Sequence, residues 1–249
     1  MLLDKAPLPK HIYSLDNDYG MIAPDFDLEE VDNKFLSKSI QFIENHSKTS
    51  KSQPFFLFHS AQAVHLPSFP SDEFKGKTSF GPHGDFIFQL DHIVGEIIKT
   101  VNDNGFGDNT LIIFSSDNGP VLNDGYFDDA VEMLGEHTPS GGLRGGKYSL
   151  FEAGTRVPFI TYWKGKTKPE VSDEIVSQID FLNSFSSLLG SDIKSRDGVD
   201  LSDVFFNNKG NGRNDLVIEA IKRTALRSGN WAMIPPYDGA EKNLSLIHI

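Results

Sequence analysis

The chain has 249 residues, of which 38% are apolar, and its 23 Lys and Arg against 35 Asp and Glu leave a formal net charge of −12. That length supports one or two domains whose core needs no covalent staples. The acidic surplus, with no basic stripe, argues against a nucleic-acid surface. Zero Cys removes disulfides, thiolate nucleophiles and Cys-ligated zinc or iron–sulfur centres.

Residues 1 to about 27 are rich in Pro, Asp and Tyr without a period and read as irregular chain. They lack the continuous apolar stretch of a signal peptide, so no export address is expected in this chain. From Asp27 the pattern turns helical, with Leu28, Val31, Phe35, Leu36, Ile40, Phe42 and Ile43 recurring three and four apart and an end near Asn45-His46. Residues 55–58 read as a short buried strand, followed by a polar loop through Pro67 and Pro70. A second amphipathic helix is predicted over 85–101, stopped by Asn104-Gly105. Residues 111–114 form the next buried strand, and strand, helix, strand with this crossover predicts a βαβ unit in a parallel sheet. A further apolar run at 157–163 follows a Gly-rich loop, then a helix over about 179–189. The end of the chain reads as strands at 215–221 and 224–234, the latter folded back at Ser228-Gly229-Asn230. The expected class is therefore α/β. No apolar run approaches the roughly 18 residues of a membrane-spanning helix, so no span is expected.

Ligands of open α/β sheets gather beyond the carboxyl ends of the strands. After Phe114 comes Ser115-Ser116-Asp117-Asn118-Gly119-Pro120, which sets a carboxylate beside an amide carbonyl. Both are hard oxygen donors suited to Ca²⁺ or Mg²⁺, and the same residues also suit an ordinary Asx turn. After Phe58, His59 and His65 lie on one loop, either of them a candidate general acid or a solvated side chain. The third candidate is the Gly-rich segment carrying Arg144 and Lys147. Its match to G-x-x-x-x-G-K is a poor P-loop, because Tyr148 stands where a Ser or Thr would hold Mg²⁺. Two permanent cations near a metal-type carboxylate would suit an anionic tetrahedral group.

Taken in order, these segments resemble sulfatases of the alkaline phosphatase superfamily, arylsulfatases among them. Residues 54–58 followed by His65-Leu66-Pro67 are similar to the family's strand and histidine loop, and 84–95 to its next helix. Residues 108–119 resemble the metal-binding strand end, 143–158 the lysine loop, and 225–231 the small C-terminal sheet. The resemblance implies an alkaline phosphatase-like, mostly parallel sheet flanked by helices, with a small antiparallel sheet at the carboxyl end. It implies that Asp117 and Asn118 ligate one Ca²⁺ or Mg²⁺, that His65 contacts the sulfate ester and donates a proton to the leaving oxygen, and that Lys147 binds sulfate oxygens. His137, just before the lysine loop, would face substrate, and Arg144 and Arg156 would be structural. His59 has no family role.

The family's nucleophile, a hydrated formylglycine made from Cys or Ser in a C/S-x-P-x-R motif, has no counterpart here. Ser68-Phe69-Pro70-Ser71-Asp72 carries Asp at the Arg position and lies after His65. The resemblance thus implies the C-terminal part of a sulfatase, with 1–200 belonging to the catalytic α/β domain and 201–249 to a small, truncated subdomain. Such a piece, incomplete at its amino terminus, is expected to be inactive alone toward a sulfated small molecule or carbohydrate. The alternatives are a phosphonate or phosphate ester hydrolase of the same superfamily and a non-catalytic module that retains the fold. By family analogy the setting is periplasmic, secreted or lysosomal.

Overall fold

A computed structural model describes residues 26–207 and 209–236, together with three short strands near the chain ends. The chain divides into two units, one of Met1–Gly107 with Val121–Thr138, the other of Asp108–Pro120 with Pro139–Ile249.

The first unit holds an antiparallel pair, β1 (Asp4–Pro7) and β2 (Tyr19–Ile22), in the segment expected to be irregular. The rest of residues 1–25 lies outside the described residues. Two packed helices follow, α1 (Val31–Thr49), which starts and ends a few residues later than expected, and α2 (Gly81–Asp103), which is longer at both ends than the predicted 85–101. Pro82 in the first turn of α2 extends its start, since an N1 or N2 proline forfeits no helical hydrogen bond. Its end is the expected one: Gly105, at φ 76°, lets its own N–H reach the Asn102 carbonyl and that of Phe106 reach Val101. The inward stripe of α1 is Asp32, Leu36, Ser39 and Ile43, at helical spacing. Phe35 and Phe42 point outward instead, 49% and 40% exposed.

Between the helices runs a long irregular loop whose backbone N–H groups require acceptors. Buried side chains provide them. Asp32 takes Gln62 and Ala63, Asp128 takes Ser68, Gln89 takes Ser71, and Asp85 takes Gly76 and Thr78. Residues 55–58, at the head of this loop, form neither helix nor strand. Phe55 packs edge-on against Phe42, His46 and Phe106, whereas Phe56 and Phe58 are 74% and 78% exposed.

In the second unit β3 (Leu111–Ser115) pairs with β4 (Phe159–Trp163) in antiparallel register, Leu111 opposite Trp163 and Ser115 opposite Phe159. This corrects the expected parallel βαβ unit: among the described residues every pairing is antiparallel, and residues 55–58 have no strand partner. A short apolar run reports burial, while partner and direction are set by non-local hydrogen bonds that the run does not encode. After the one-turn α3 (Glu152–Thr155) and β4 come α4 (Phe181–Leu188) and α5 (Ser202–Asn207). Their aromatic core joins Trp163, Phe205 and Phe206 to Phe159, Phe181 and Phe185, with neighbouring rings 5.4–6.5 Å apart.

The C-terminal sheet runs β5 (Asp215–Ala220), β6 (Arg223–Ser228), β7 (Trp231–Met233) and β8 (Leu246–His248), antiparallel throughout as expected. Its inner face packs Ala225 and Ile234 against Leu150 and Phe151. Ahead of it, Arg213 forks onto the fully buried carboxylate of Asp180 at 2.5–3.0 Å, and the same carboxylate accepts the N–H groups of Ser177 and Val199. A buried charge needs this degree of compensation. No helix among the described residues is long and apolar enough to cross a membrane.

Candidate functional site

Asp117, Asn118 and Lys147 all belong to the second unit. The chain leaves β3 at Ser115 and turns sharply. Asp117 is exposed and accepts the Asn118 N–H through Oδ1 at 2.9 Å, while Asn118 Nδ2 donates to the Gly119 carbonyl at 3.0 Å. That orientation leaves the Asn118 carbonyl oxygen as its ligand-type atom. Gln178, which no sequence pattern singled out, steadies the turn by donating to Ser115 Oγ at 3.1 Å and to the Ser116 carbonyl at 2.7 Å.

Two backbone hydrogen bonds lace the lysine loop to this turn. The Lys147 N–H donates to the Pro120 carbonyl and the Gly119 N–H to the Gly154 carbonyl, each at 2.9 Å. Such closeness demands the absence of a side chain: a Cβ on Gly119 would stand 1.6 Å from the Ala153 oxygen. Lys147 itself sits in a tight turn closed by Ser149 N–H to the Gly146 carbonyl at 3.0 Å. Tyr148, at φ 73°, occupies the left-handed position that turns of this kind give to Gly or Asn. The Lys147 ammonium lies 5.3 Å from the centroid of the Tyr148 ring.

The loop is also anchored from below. Arg144 stacks on Phe151 with its guanidinium carbon 3.9 Å from the ring centroid. Glu152 accepts Arg227 of β6 at 2.7 Å and Arg156 at 3.5 Å. Arg144 and Arg156 therefore brace the loop on which Lys147 is presented.

His65 and His137 belong to the first unit. The His65 ring is exposed, with Nδ1 2.6 Å from the Leu66 carbonyl. A carbonyl only accepts, so Nδ1 carries the hydrogen in this contact. His137 lies beside Phe80 and 6.3 Å, ring to ring, from the buried His83. Burial holds the His83 imidazole below its usual range, His137 pushes it the same way, and Asp128 opposes both. His83 Nδ1 is buried with no hydrogen-bond partner. His59 points inward, its Nδ1 2.9 Å from Ser39 Oγ; burial lowers its pKa and nearby Asp32 opposes the shift.

As metal ligands, Asp117 and Asn118 are oxygen donors of the kind Ca²⁺ and Mg²⁺ select, and they supply part of the six to eight oxygens Ca²⁺ takes. Among the described residues no group of three or more His, Asp or Glu side chains gathers as a metal cluster.

The sulfatase family profile matches residues 9–191, which is most of the chain, and the protein belongs to the sulfatase family. An N-acetylgalactosamine-6-O-sulfatase from Bacteroides thetaiotaomicron is 40% identical over 214 residues, covering 84% of this chain and 41% of that protein. Human arylsulfatase A is 34% identical over 60% of this chain and 28% of its own length. Among solved structures, one described for the metabolism of multiple glycosaminoglycans by Bacteroides thetaiotaomicron superposes with a TM-score of 0.81 at 38% identity, over 86% of this chain and 45% of that one. The chain thus spans less than half the length of each of these three proteins.

Proposed function

We propose that this chain carries the metal-and-lysine portion of a site that hydrolyses sulfate monoesters. The observation that carries the reading is the pair of backbone hydrogen bonds joining the Asp117-Asn118 turn to the Lys147 loop, which sets a hard-oxygen donor pair and a fixed cation on adjoining backbone. Asp117 and Asn118 would hold Ca²⁺ or Mg²⁺, which as a Lewis acid supplies charge neutralisation at a sulfate oxygen. Lys147 would bind the remaining sulfate oxygens and stabilise charge in the transition state. His65 would protonate the leaving alcohol from Nε2, its ring oriented by the Nδ1–H bond to Leu66, and His137 would face the substrate.

The formylglycine nucleophile and the other metal carboxylates would come from polypeptide outside these 249 residues, and the chain alone would not turn over. The relatives' names favour a sulfated amino sugar as substrate, N-acetylgalactosamine 6-sulfate first. The test is calorimetric titration of the 249-residue protein with CaCl₂ and then with inorganic sulfate. Asp117→Ala is expected to abolish Ca²⁺ binding, and Lys147→Ala to retain Ca²⁺ while losing sulfate. Equal Ca²⁺ affinity in wild type and Asp117→Ala would refute the assignment.

A further inference from the structure

The family reading gives His65 a task but does not say what holds its irregular loop in place, and the packing of α1 against that loop answers this. Asp32, in the first turn of α1, is 2% exposed. Its Oδ1 accepts the Gln62 N–H at 2.7 Å and its Oδ2 the Ala63 N–H at 2.9 Å. Two successive backbone amides thereby form a small anion-binding concavity filled by a side chain of the same protein. The Gln62 carbonyl in turn accepts the His65 N–H at 2.8 Å, closing the turn that presents the imidazole. Ala63 and Leu66, on either side, are buried. Two helical turns further along the same face, Ser39 meets His59 Nδ1, so α1 grips the segment at residue 59 and again at 62–63.

An acidic residue in the first turn also complements the helix dipole, and it would do so from an exposed position. Burying the carboxylate adds a desolvation cost that the dipole alone does not offset. The two amides of the histidine loop offset it.

We propose that Asp32 is a positioning residue for His65, acting through the backbone at Gln62 and Ala63. This rests on the reading of His65 as the proton donor. Asp32→Asn keeps one acceptor oxygen, removes the charge, and presents an NH₂ group to one of the two amides. Charge-assisted hydrogen bonds of this type are worth about 1.5–3 kcal/mol, so exchange of the Gln62 and Ala63 amides should rise roughly 10- to 150-fold.

The experiment is NMR on the full 249-residue chain, wild type and Asp32→Asn. It follows amide exchange at Gln62, Ala63 and the core residue Ile93, the His65 ring nitrogen shifts, and their response to inorganic sulfate. The expected result is faster exchange at 62 and 63, unchanged protection at Ile93, a moved His65 Nδ1 shift and a weaker sulfate response. Faster loop exchange with an unmoved His65 Nδ1 shift would make Asp32 merely structural and overturn the proposal. If Ile93 also loses protection, Asp32→Glu, which keeps the charge but adds a methylene, replaces Asp32→Asn, and the same shifts decide for or against the positioning role. A wild-type His65 that ignores sulfate sinks the functional reading, and the Nδ1 shift then decides the positioning role by itself.

Discussion

Gly119→Ala is the sharpest probe of the junction between the Asp117-Asn118 turn and the lysine loop. The added Cβ would lie 1.6 Å from the Ala153 carbonyl oxygen and 2.7 Å from its carbon, where real Cβ contacts stay beyond 3.0 Å. Both neighbours are backbone, so no side chain can swing aside and the two loops must part by about 1.4 Å. That movement stretches the Gly119–Gly154 and Lys147–Pro120 hydrogen bonds past useful length. At about 1 kcal/mol net for each bond plus the strain that remains, the expected destabilisation is about 2–4 kcal/mol. Urea unfolding followed by fluorescence measures it in the second unit through the buried Trp163. Gly95→Ala in α2 is the matched control, since nothing lies within 4 Å of its added Cβ. It should stabilise the first unit by up to about 1 kcal/mol through helix propensity, measured by circular dichroism. A Gly119→Ala protein within about 0.5 kcal/mol of wild type, the size of an ordinary surface substitution, would refute the close approach.

Two further outcomes follow from the backbone and from burial. The β5–β6 hairpin turns through Ile221 and Lys222, at φ 44° and 60°, a geometry that favours Asn-Gly. Replacing the pair by Asn-Gly should raise stability by about 1–3 kcal/mol, read as a higher urea midpoint at unchanged slope, and a lower midpoint would contradict the turn assignment. His83 has its folded pKa depressed below the ordinary 6.5, so below pH 6.5 the unfolded chain binds more protons than the folded one. Its contribution is therefore complete above pH 6.5 and is lost as pH falls toward the folded value. Between pH 7.5 and 5.5 the wild type should lose more stability than His83→Gln, by at most about 1.4 kcal/mol per pH unit. Parallel curves would remove the role of burial; His59, shifted in the same direction, is common to both proteins and cancels.

Periodicity made both long helices of the first unit visible, because Leu36, Ile43, Phe86 and Ile93 recur at helical spacing and all four are buried. It misjudged the inner face of α1. Phe35 and Phe42 fit the apolar pattern and point out, while Asp32 and Ser39 break the pattern and point in. Polarity hid them, since their burial depends on partners some 20 to 30 residues away that no local window contains. The direction of β3 was invisible for a related reason. A run such as Leu111 to Phe114 tells that a strand is covered, and only the ladder to Phe159–Trp163 tells by what. Gln178 and Arg227 escaped notice as ordinary polar residues, and their meaning comes from the Ser115–Ser116 turn and Glu152, which they reach across the fold.

The two units hold their candidate residues by different physical means, and this fixes what each tolerates. Around Lys147 the turn and the loop meet backbone to backbone, with Gly119 and Gly146 leaving room and Glu152 tied to β6 beneath. Adding volume there is costly, whereas the two hydrogen bonds that join the loops are between backbone groups and involve no side-chain charge directly. Among the described residues the loop around His65 pairs with no strand, and amides along it donate to Asp32, Asp128, Gln89 and Asp85. Changing one of the three Asp to Asn removes the charge and turns one of its two acceptor oxygens into a donor, while leaving the volume nearly unchanged. Isosteric Asp→Asn changes should therefore disturb the histidine loop more than Gly→Ala changes elsewhere in its unit. At the Gly119 junction the lysine loop should show the reverse order, because the close approach of two backbones there excludes added volume.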